Sequence, residues 1–194
     1  MPETIDLLLK ELKLPVFLRH YQRHQEQAIA QGHGHVRYLS GLCEQEVADR
    51  YQKRVQRWTR EAGLPPGKSF ANLKLEEFSA SQQQRIIARK DHSDWVRHAG
   101  KVLLIGPSGV GKSHLAAALA AQWIEQNARV KWFLAVALVQ SLQQAKRDLD
   151  LMTAMTRLDK YQVLVIDDIG YVRKTDAETQ VCVNLSPIVM TAAA

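Results

Sequence analysis

The sequence is poor in cysteine and in long apolar runs. Of its 194 residues only Cys43 and Cys182 are cysteine, and neither belongs to a Cys-x-x-Cys pair, which argues against a disulfide-rich fold and favours a reducing compartment. The longest apolar runs, such as residues 133–139, are much shorter than the roughly 18 residues of a membrane-spanning helix. The first six residues carry two acids and no basic residue, unlike a signal peptide. We therefore expect a cytoplasmic protein that does not associate with a membrane.

The charge balance is ordinary except in one predicted helix. Charged residues make up 24% and hydrophobic residues 46% of the chain, and the net charge is +6, as in many soluble globular proteins. A stretch without any acid contains Arg50, Lys53, Arg54, Arg57 and Arg60. We call these five residues the basic stripe, because their spacing places them on one side of a helix. Two interpretations stay open: a solvated surface helix, or a face that contacts nucleic-acid phosphates.

A segment rich in proline and glycine divides the chain. Residues 1–62 carry helical patterns, with a break at residues 32–35, where His33 and His35 have no acid or cysteine cluster that would make them metal ligands. Residues 63–67 read Gly-Leu-Pro-Pro-Gly, which ends any helix. Beyond them, short apolar strands alternate with helical patterns, which is typical of βαβ units with a parallel sheet. The sequence predicts a helical region at 1–68 and an α/β region at 69–194.

The first strand of the α/β region leads into a phosphate-binding motif. The pattern G-x-x-x-x-G-K-[ST] is met by Gly106, Pro107, Ser108, Gly109, Val110, Gly111, Lys112 and Ser113. The glycines allow backbone N–H groups to surround a phosphate, and the following helix adds its positive end. Lys112 would reach the β- and γ-phosphates of ATP, and the Ser113 hydroxyl would bind Mg²⁺. A glycine-rich turn without a ligand is the alternative, but the strand before and the helix after the motif favour ATP.

A second motif supplies carboxylates for the same chemistry. The apolar run at residues 163–166 ends in Asp167 and Asp168. Two carboxylates at a buried strand end are costly without a cation, which favours a magnesium site over a polar turn. Asp167 would lie in the Mg²⁺ shell, and Asp168 is placed to polarise the attacking water, so that Lys112 and Asp168 are the candidate catalytic residues. This pair of motifs predicts an ATPase and not a small-molecule kinase.

Taken together, these motifs resemble those of a known family. Gly106–Ser113 is followed by His114-Leu115-Ala116, and residues 165–171 read Val-Ile-Asp-Asp-Ile-Gly-Tyr. This combination is similar to that of the IstB-type transposition helper ATPases, relatives of the DnaC helicase loaders in the AAA+ class. Weaker matches lie at Tyr38, Leu39, Leu42 and Glu46, at residues 62–65 and at residues 95–96.

The resemblance carries expectations for fold, cofactors and partners. It implies a P-loop AAA+ parallel-sheet core behind a small all-helical region, with ATP and Mg²⁺ as cofactors and His114 among the nucleotide-binding residues. It also implies non-specific binding of duplex DNA, a cognate transposase as partner and assembly into homo-oligomers. In that family the basic stripe would contact DNA phosphates, and residues 1–68 would contact DNA or the partner.

The sequence departs from the family pattern after Gln180. The family continues with a sensor strand between the P-loop strand and the Asp-Asp strand, and with an arginine finger, whereas residues 181–194 resemble neither. We therefore expect a core that is incomplete at its C-terminus, with two unpaired strand edges and slow or absent ATP hydrolysis. Pro187 makes a substitute central strand at residues 188–190 a poor prospect.

Three functions remain open from the sequence. The first is the ATP-dependent transposition helper, and the second is a DnaC-like helicase loader. The third is a non-catalytic fragment that binds DNA or full-length partners.

Overall fold

The structure is a computed structural model, and it describes the backbone of residues 2–91, 96, 100–169 and 188–193. Side chains are described for the same residues except 2–3 and 188–193. The predicted family residues Trp95, Gly170 and Tyr171, and the departure at residues 181–187, lie outside this part of the chain. The chain forms two compact units, Met1–Gln56 and Arg57–Ala194. The functional division predicted after residue 68 stays a prediction.

The first unit is helical, as the sequence predicts. Its helices are α1 (Pro2–Glu11), α2 (Pro15–Ala30) and the greater part of α3 (His35–Ala62). Pro15 occupies the first turn of α2, where its missing N–H costs nothing. Gly32 follows α2 with a φ of +63°, and the His33 N–H donates to the Ala28 carbonyl at 2.8 Å, which closes the helix end in the manner of a Schellman motif. Across the described residues no helix combines the length and the apolar character that spanning a membrane requires.

A buried glutamate joins α1, α2 and α3. Glu46 is 4% exposed, and its Oε2 accepts the Val16 N–H of the first turn of α2 at 2.9 Å. The other carboxylate oxygen accepts Arg50 Nε at 2.8 Å, and Arg50 Nη2 donates to the carbonyl of Lys13 at 2.7 Å. The carboxylate therefore caps the N-terminus of α2, where negative charge is favoured, and it orients the arginine that holds the end of α1.

The second unit alternates strands and helices around a parallel sheet. Its helices are α4 (Ala80–Asp91), α5 (Lys112–Glu125), α6 (Ala135–Arg147) and α7 (Leu151–Leu158), and its strands are β1 (Lys101–Gly106), β2 (Val130–Leu134), β3 (Val163–Asp167) and β4 (Ile188–Ala193). The strand order among the described residues is β1-β4-β3-β2, with every pairing parallel. The predicted α/β class with a parallel-sheet core is confirmed.

The core of this unit lies between the sheet and its helices. Residues 115–120 of α5 are buried, and β3 is buried at all of its positions, as expected for a strand covered on both faces. Residues of α6, α7 and β3 form one apolar cluster of Ala135, Leu138, Leu142, Leu158, Leu164 and Ile166. The far end of α5 also fixes α4, because Trp123 Nε1 donates to the Arg89 carbonyl at 2.8 Å and Gln126 Nε2 donates to the Lys90 carbonyl at 2.6 Å.

The expectation of two unpaired strand edges at the centre of the sheet is wrong. Strand β4 lies between β1 and β3, and Met190 is the register partner of Leu103 on one side and of Ile166 on the other. The strand begins at Ile188, directly after Pro187 in the sequence. The apolar run that follows the proline thus pairs on both sides.

Candidate functional site

The loop between β1 and α5 has the backbone shape that a phosphate-binding loop requires. Gly109 has a φ of +84° and Gly111 a φ of +87°, a region that strains any other residue type except, to a lesser degree, asparagine and aspartate. Gly111 is also the N-cap of α5, so the loop ends where the helix presents its unpaired N–H groups and its positive end. The conformation itself thus favours glycine at positions 109 and 111.

Lys112 lies across this loop. Its Nζ donates to the carbonyl of Gly106 at 2.8 Å and to that of Pro107 at 2.7 Å. Both acceptors are neutral, so they orient the ammonium without cancelling its charge. A phosphate drawn to the loop would meet this charge beside the N-terminus of α5.

The two predicted motifs meet at the carboxyl edge of the sheet. Ser113 Oγ donates to Asp167 Oδ1 at 2.8 Å, although the residues are 54 positions apart. Asp167 is 5% exposed, and the Asp168 N–H also donates to its Oδ1 at 3.1 Å. A hydroxyl and a buried carboxylate are hard oxygen donors that fit Mg²⁺, which usually keeps water and substrate phosphate as its other ligands. Accordingly, the described residues contain no group of three or more acidic, histidine or cysteine side chains that could hold a metal by themselves.

Asp168 has a strained backbone at this edge. Its φ is +61°, a left-handed conformation that costs about 1 kcal/mol or more for most residues and somewhat less for aspartate. The residue is exposed, whereas its neighbour Asp167 is buried. The strand thus ends with one buried carboxylate that accepts from Ser113 and one carboxylate accessible to solvent; the catalytic role of Asp168 stays a prediction. Strained residues of this kind concentrate at functional sites.

A large cavity continues from the loop along β1. Its volume is about 1370 Å³, and it is bounded on one side by Gly106–Lys112 and on the others by β1, α4 and the segment before α4. We call residues 69–78 the strap; it contains two short turns, Phe70–Asn72 and Leu75–Glu77. Sequence motifs alone do not place the strap in the site. Its one signal is a set of apolar residues in a polar stretch, namely Phe70, Leu73, Leu75 and Phe78.

His114 connects the strap to the first turn of α5. Its Nε2 lies 3.0 Å from the Ser69 carbonyl oxygen. A carbonyl oxygen can only accept, so Nε2 carries the hydrogen. The residue therefore contacts the wall of the cavity, which the sequence motif alone does not specify.

The basic stripe is more neutralised than the sequence suggests. Arg50 pairs with Glu46, Lys53 with Asp49 at 2.7 Å, and Arg57 with Glu61 at 3.9 Å, each one helical turn away. The acid-free stretch at residues 50–60 does not include these acidic partners, because they lie just outside it. The hydrogen bond from Lys53 is the main cause that holds the pKa of the Asp49 carboxyl below its usual value.

The members of the basic stripe differ in their contacts. Arg54 lies over the Tyr51 ring, with 5.8 Å between the guanidinium and the ring centroid. The side chains of Lys53 and Arg57 keep 60% and 62% of their surface exposed, and Arg60 is also exposed. Charge therefore remains accessible at these positions, while Arg50 and Arg54 also have structural contacts.

Comparisons with known proteins agree with these motifs. The family model of the IstB-like ATP binding protein matches residues 7–187. An insertion sequence ATP-binding protein of Sinorhizobium fredii is 37% identical over 181 residues, which are 93% of this chain and 61% of that protein. The IS21 ATP-binding protein of Pseudomonas aeruginosa is 28% identical over 86% of this chain and 63% of its own length. The chain thus spans a little over 60% of the length of these relatives.

Solved structures with a similar fold include AMPPCP-bound DnaA from Aquifex aeolicus. It has a TM-score of 0.56 at 16% identity, over 67% of this chain and 43% of that one. At this identity the likeness concerns the fold alone, and it agrees with the parallel P-loop sheet. By the family match over residues 7–187 and the 37% identity to a curated relative, the chain belongs to the IstB-like ATP-binding protein family of insertion sequences.

Proposed function

We propose that this protein binds ATP together with Mg²⁺ and serves as the ATP-binding helper of an insertion sequence in DNA transposition. The observation that carries the nucleotide part is the 2.8 Å contact between Ser113 Oγ and Asp167 Oδ1. It brings two motifs from distant parts of the chain to one point beside Lys112 and the N-terminus of α5. A glycine-rich turn without a ligand would not need a buried carboxylate at that point.

Each residue of the site has a distinct proposed role. The backbone of Gly106–Ser113 surrounds the phosphates, and the Lys112 ammonium exchanges its two carbonyl acceptors for phosphate oxygens. Ser113 and Asp167 would hold Mg²⁺, which would neutralise phosphate charge when bound. Asp168, exposed beside Asp167, orients and polarises a water molecule. The sequence predicts slow or absent hydrolysis, and the binding proposal does not depend on turnover.

The proposed partners are duplex DNA, a cognate transposase and further copies of the chain. Family membership and the names of the relatives support a role in insertion-sequence transposition. The exposed charges of Lys53, Arg57 and Arg60 support phosphate contacts that do not depend on base sequence. We assign DNA or partner binding to residues 1–68 and nucleotide binding to residues 69–194.

Nucleotide binding is tested directly by titration of the purified chain with ATP, with and without Mg²⁺. We expect Lys112→Ala to lower ATP affinity by at least tenfold, because it removes the charge that faces the phosphates. Lys160→Ala is the matched control, since Lys160 is an exposed lysine in the same unit and we expect it to leave the affinity unchanged. Equal ATP affinity in the wild type and in Lys112→Ala would refute the proposed site. Hydrolysis is measured separately as phosphate release.

A further inference from the structure

The strap is fixed at both of its ends. At its start the Ser69 carbonyl accepts the hydrogen of His114 Nε2 at 3.0 Å, across 45 positions of sequence. At its end the Phe78 carbonyl accepts a hydrogen bond from Gln83 Nε2 of α4 at 2.7 Å. Between these points Asn72 Nδ2 donates to the Gly67 carbonyl at 3.0 Å. Hydrogen bonds therefore hold the strap in place at both ends. His114 provides the hydrogen bond from the first turn of α5.

The strap also forms a wall of the cavity. Asn72, Leu73 and Phe78 line the space that Gly106–Lys112 closes at its other end. If the phosphates of a nucleotide occupy the loop, the rest of this space is where the sugar and the base can lie. The strap is then a wall on which the flat face of a base can pack against Leu73 and Phe78, while its polar edge can meet the charged residues of the same wall, Lys74 and Glu77.

We propose that His114 is a positioning residue, which fixes the strap as the base-side wall of the nucleotide site and does not itself hold phosphate. This inference rests on the proposed nucleotide function and refines it. The imidazole is satisfied by a backbone carbonyl of the strap, whereas a phosphate ligand would be expected to point towards the loop. Loss of His114 should therefore weaken the part of the affinity that comes from the nucleoside and spare the part that comes from the phosphates.

The test compares two probes on the full chain, ATP and inorganic tripolyphosphate, each with Mg²⁺. In His114→Leu we expect the Kd for ATP to rise roughly threefold to tenfold, the usual effect of one lost hydrogen bond. The Kd for tripolyphosphate should change less than twofold. His114→Gln should restore ATP affinity, because its amide N–H can reach the Ser69 carbonyl. His114→Asn is one methylene shorter and should behave like His114→Leu, which keeps the test available if the leucine variant does not fold.

Lys160→Ala is the control, because Lys160 is exposed in the same unit and lies outside the cavity lining. It should bind both probes as the wild type does. Three results would each overturn the inference. In His114→Leu these are an equal loss of affinity for both probes or an unchanged affinity for ATP. The third is a failure of His114→Gln to restore ATP affinity. A wild type that binds the two probes equally well would also overturn it, while leaving phosphate binding intact. A wild type that binds neither probe would instead refute the proposed nucleotide function.

Discussion

Glu46 offers the sharpest test of how the first unit is held together. Its carboxylate is buried and accepts the Val16 N–H at 2.9 Å and Arg50 Nε at 2.8 Å. Glu46→Ala removes the cap of α2 and leaves the N–H of Val16, a residue only 3% exposed, without its acceptor. Loss of such a cap costs about 0.5–2 kcal/mol, and a buried N–H without a partner costs about 1–3 kcal/mol. These two figures describe one overlapping effect, so we expect a loss of about 2 kcal/mol.

The arginine side of this cluster should contribute less. The side chain of Arg50 is 55% exposed, so water can replace the carboxylate when Glu46 is removed, and exposed ion pairs contribute about 0–1 kcal/mol. Glu46→Gln keeps an oxygen that can accept the Val16 N–H, but it loses the charge and replaces the acceptor of Arg50 Nε with an NH₂ donor. It should therefore cost about 1 kcal/mol, less than the alanine variant.

Hydrogen exchange on the full chain measures this effect in the first unit. A loss of about 2 kcal/mol corresponds to exchange that is about 30-fold faster where protection depends on opening of this unit. We expect that change in peptides from α2 and α3 and little change in peptides from β2 and β3. Glu44→Ala is the control, because Glu44 is exposed on the same helix and its loss should stay within about 0.5 kcal/mol. Equal exchange in Glu46→Ala and Glu44→Ala would refute the capping argument.

Two further outcomes follow from exposed residues. The double variant Lys53→Ala/Arg57→Ala should weaken duplex DNA binding for any sequence, and it should reduce the slope of log K against log salt by about 2. Fluorescence anisotropy measures both effects, with Lys10→Ala as the control. An unchanged slope would contradict a phosphate-contacting role. Leu149 is 95% exposed with a φ of +58°, so Leu149→Gly should raise the free energy of unfolding in urea by about 1 kcal/mol. Met152→Gly, inside α7, should lower it by about 1 kcal/mol, and no gain in Leu149→Gly would contradict the strain argument.

Local sequence was sufficient to predict the shape of the loop and the meeting of the two motifs, because both are set by short-range rules. The loop needs glycine at two left-handed positions, and a carboxylate at the end of a parallel strand must appear at the same edge as that loop. The 2.8 Å contact of Ser113 with Asp167 follows from these two requirements. The strap could not be predicted in this way, because the contact of His114 with Ser69 joins a motif to a segment that carries no motif.

The basic stripe shows a different limit of sequence reasoning. A count of charges in a window predicts a strongly positive face, but helix geometry pairs residues with partners one turn away. Three acids lie just outside the acid-free stretch and partly neutralise three of its basic residues. The pairs are Glu46 with Arg50, Asp49 with Lys53, and Glu61 with Arg57. Arg50 is also part of the Glu46 cluster, so its substitution would change stability as well as charge. The exposed pair of Lys53 and Arg57 is therefore the better test of DNA binding.

The strand that the sequence argued against determines the geometry of the nucleotide site. The loop follows β1 and Asp167 ends β3, and β4 pairs with both strands in parallel. Neighbouring strands lie about 4.8 Å apart, so β4 keeps the ends of β1 and β3 about 10 Å apart. The loop crosses this gap, and the first turn of α5 then brings Ser113 to Asp167. Without a strand in this position the spacing of β1 and β3 would change, and we expect the contact between the Ser113 hydroxyl and the Asp167 carboxylate to be lost. The position of Ser113 beside Asp167 depends on this strand order. Residues 188–193 are therefore a structural requirement of the proposed ATP site.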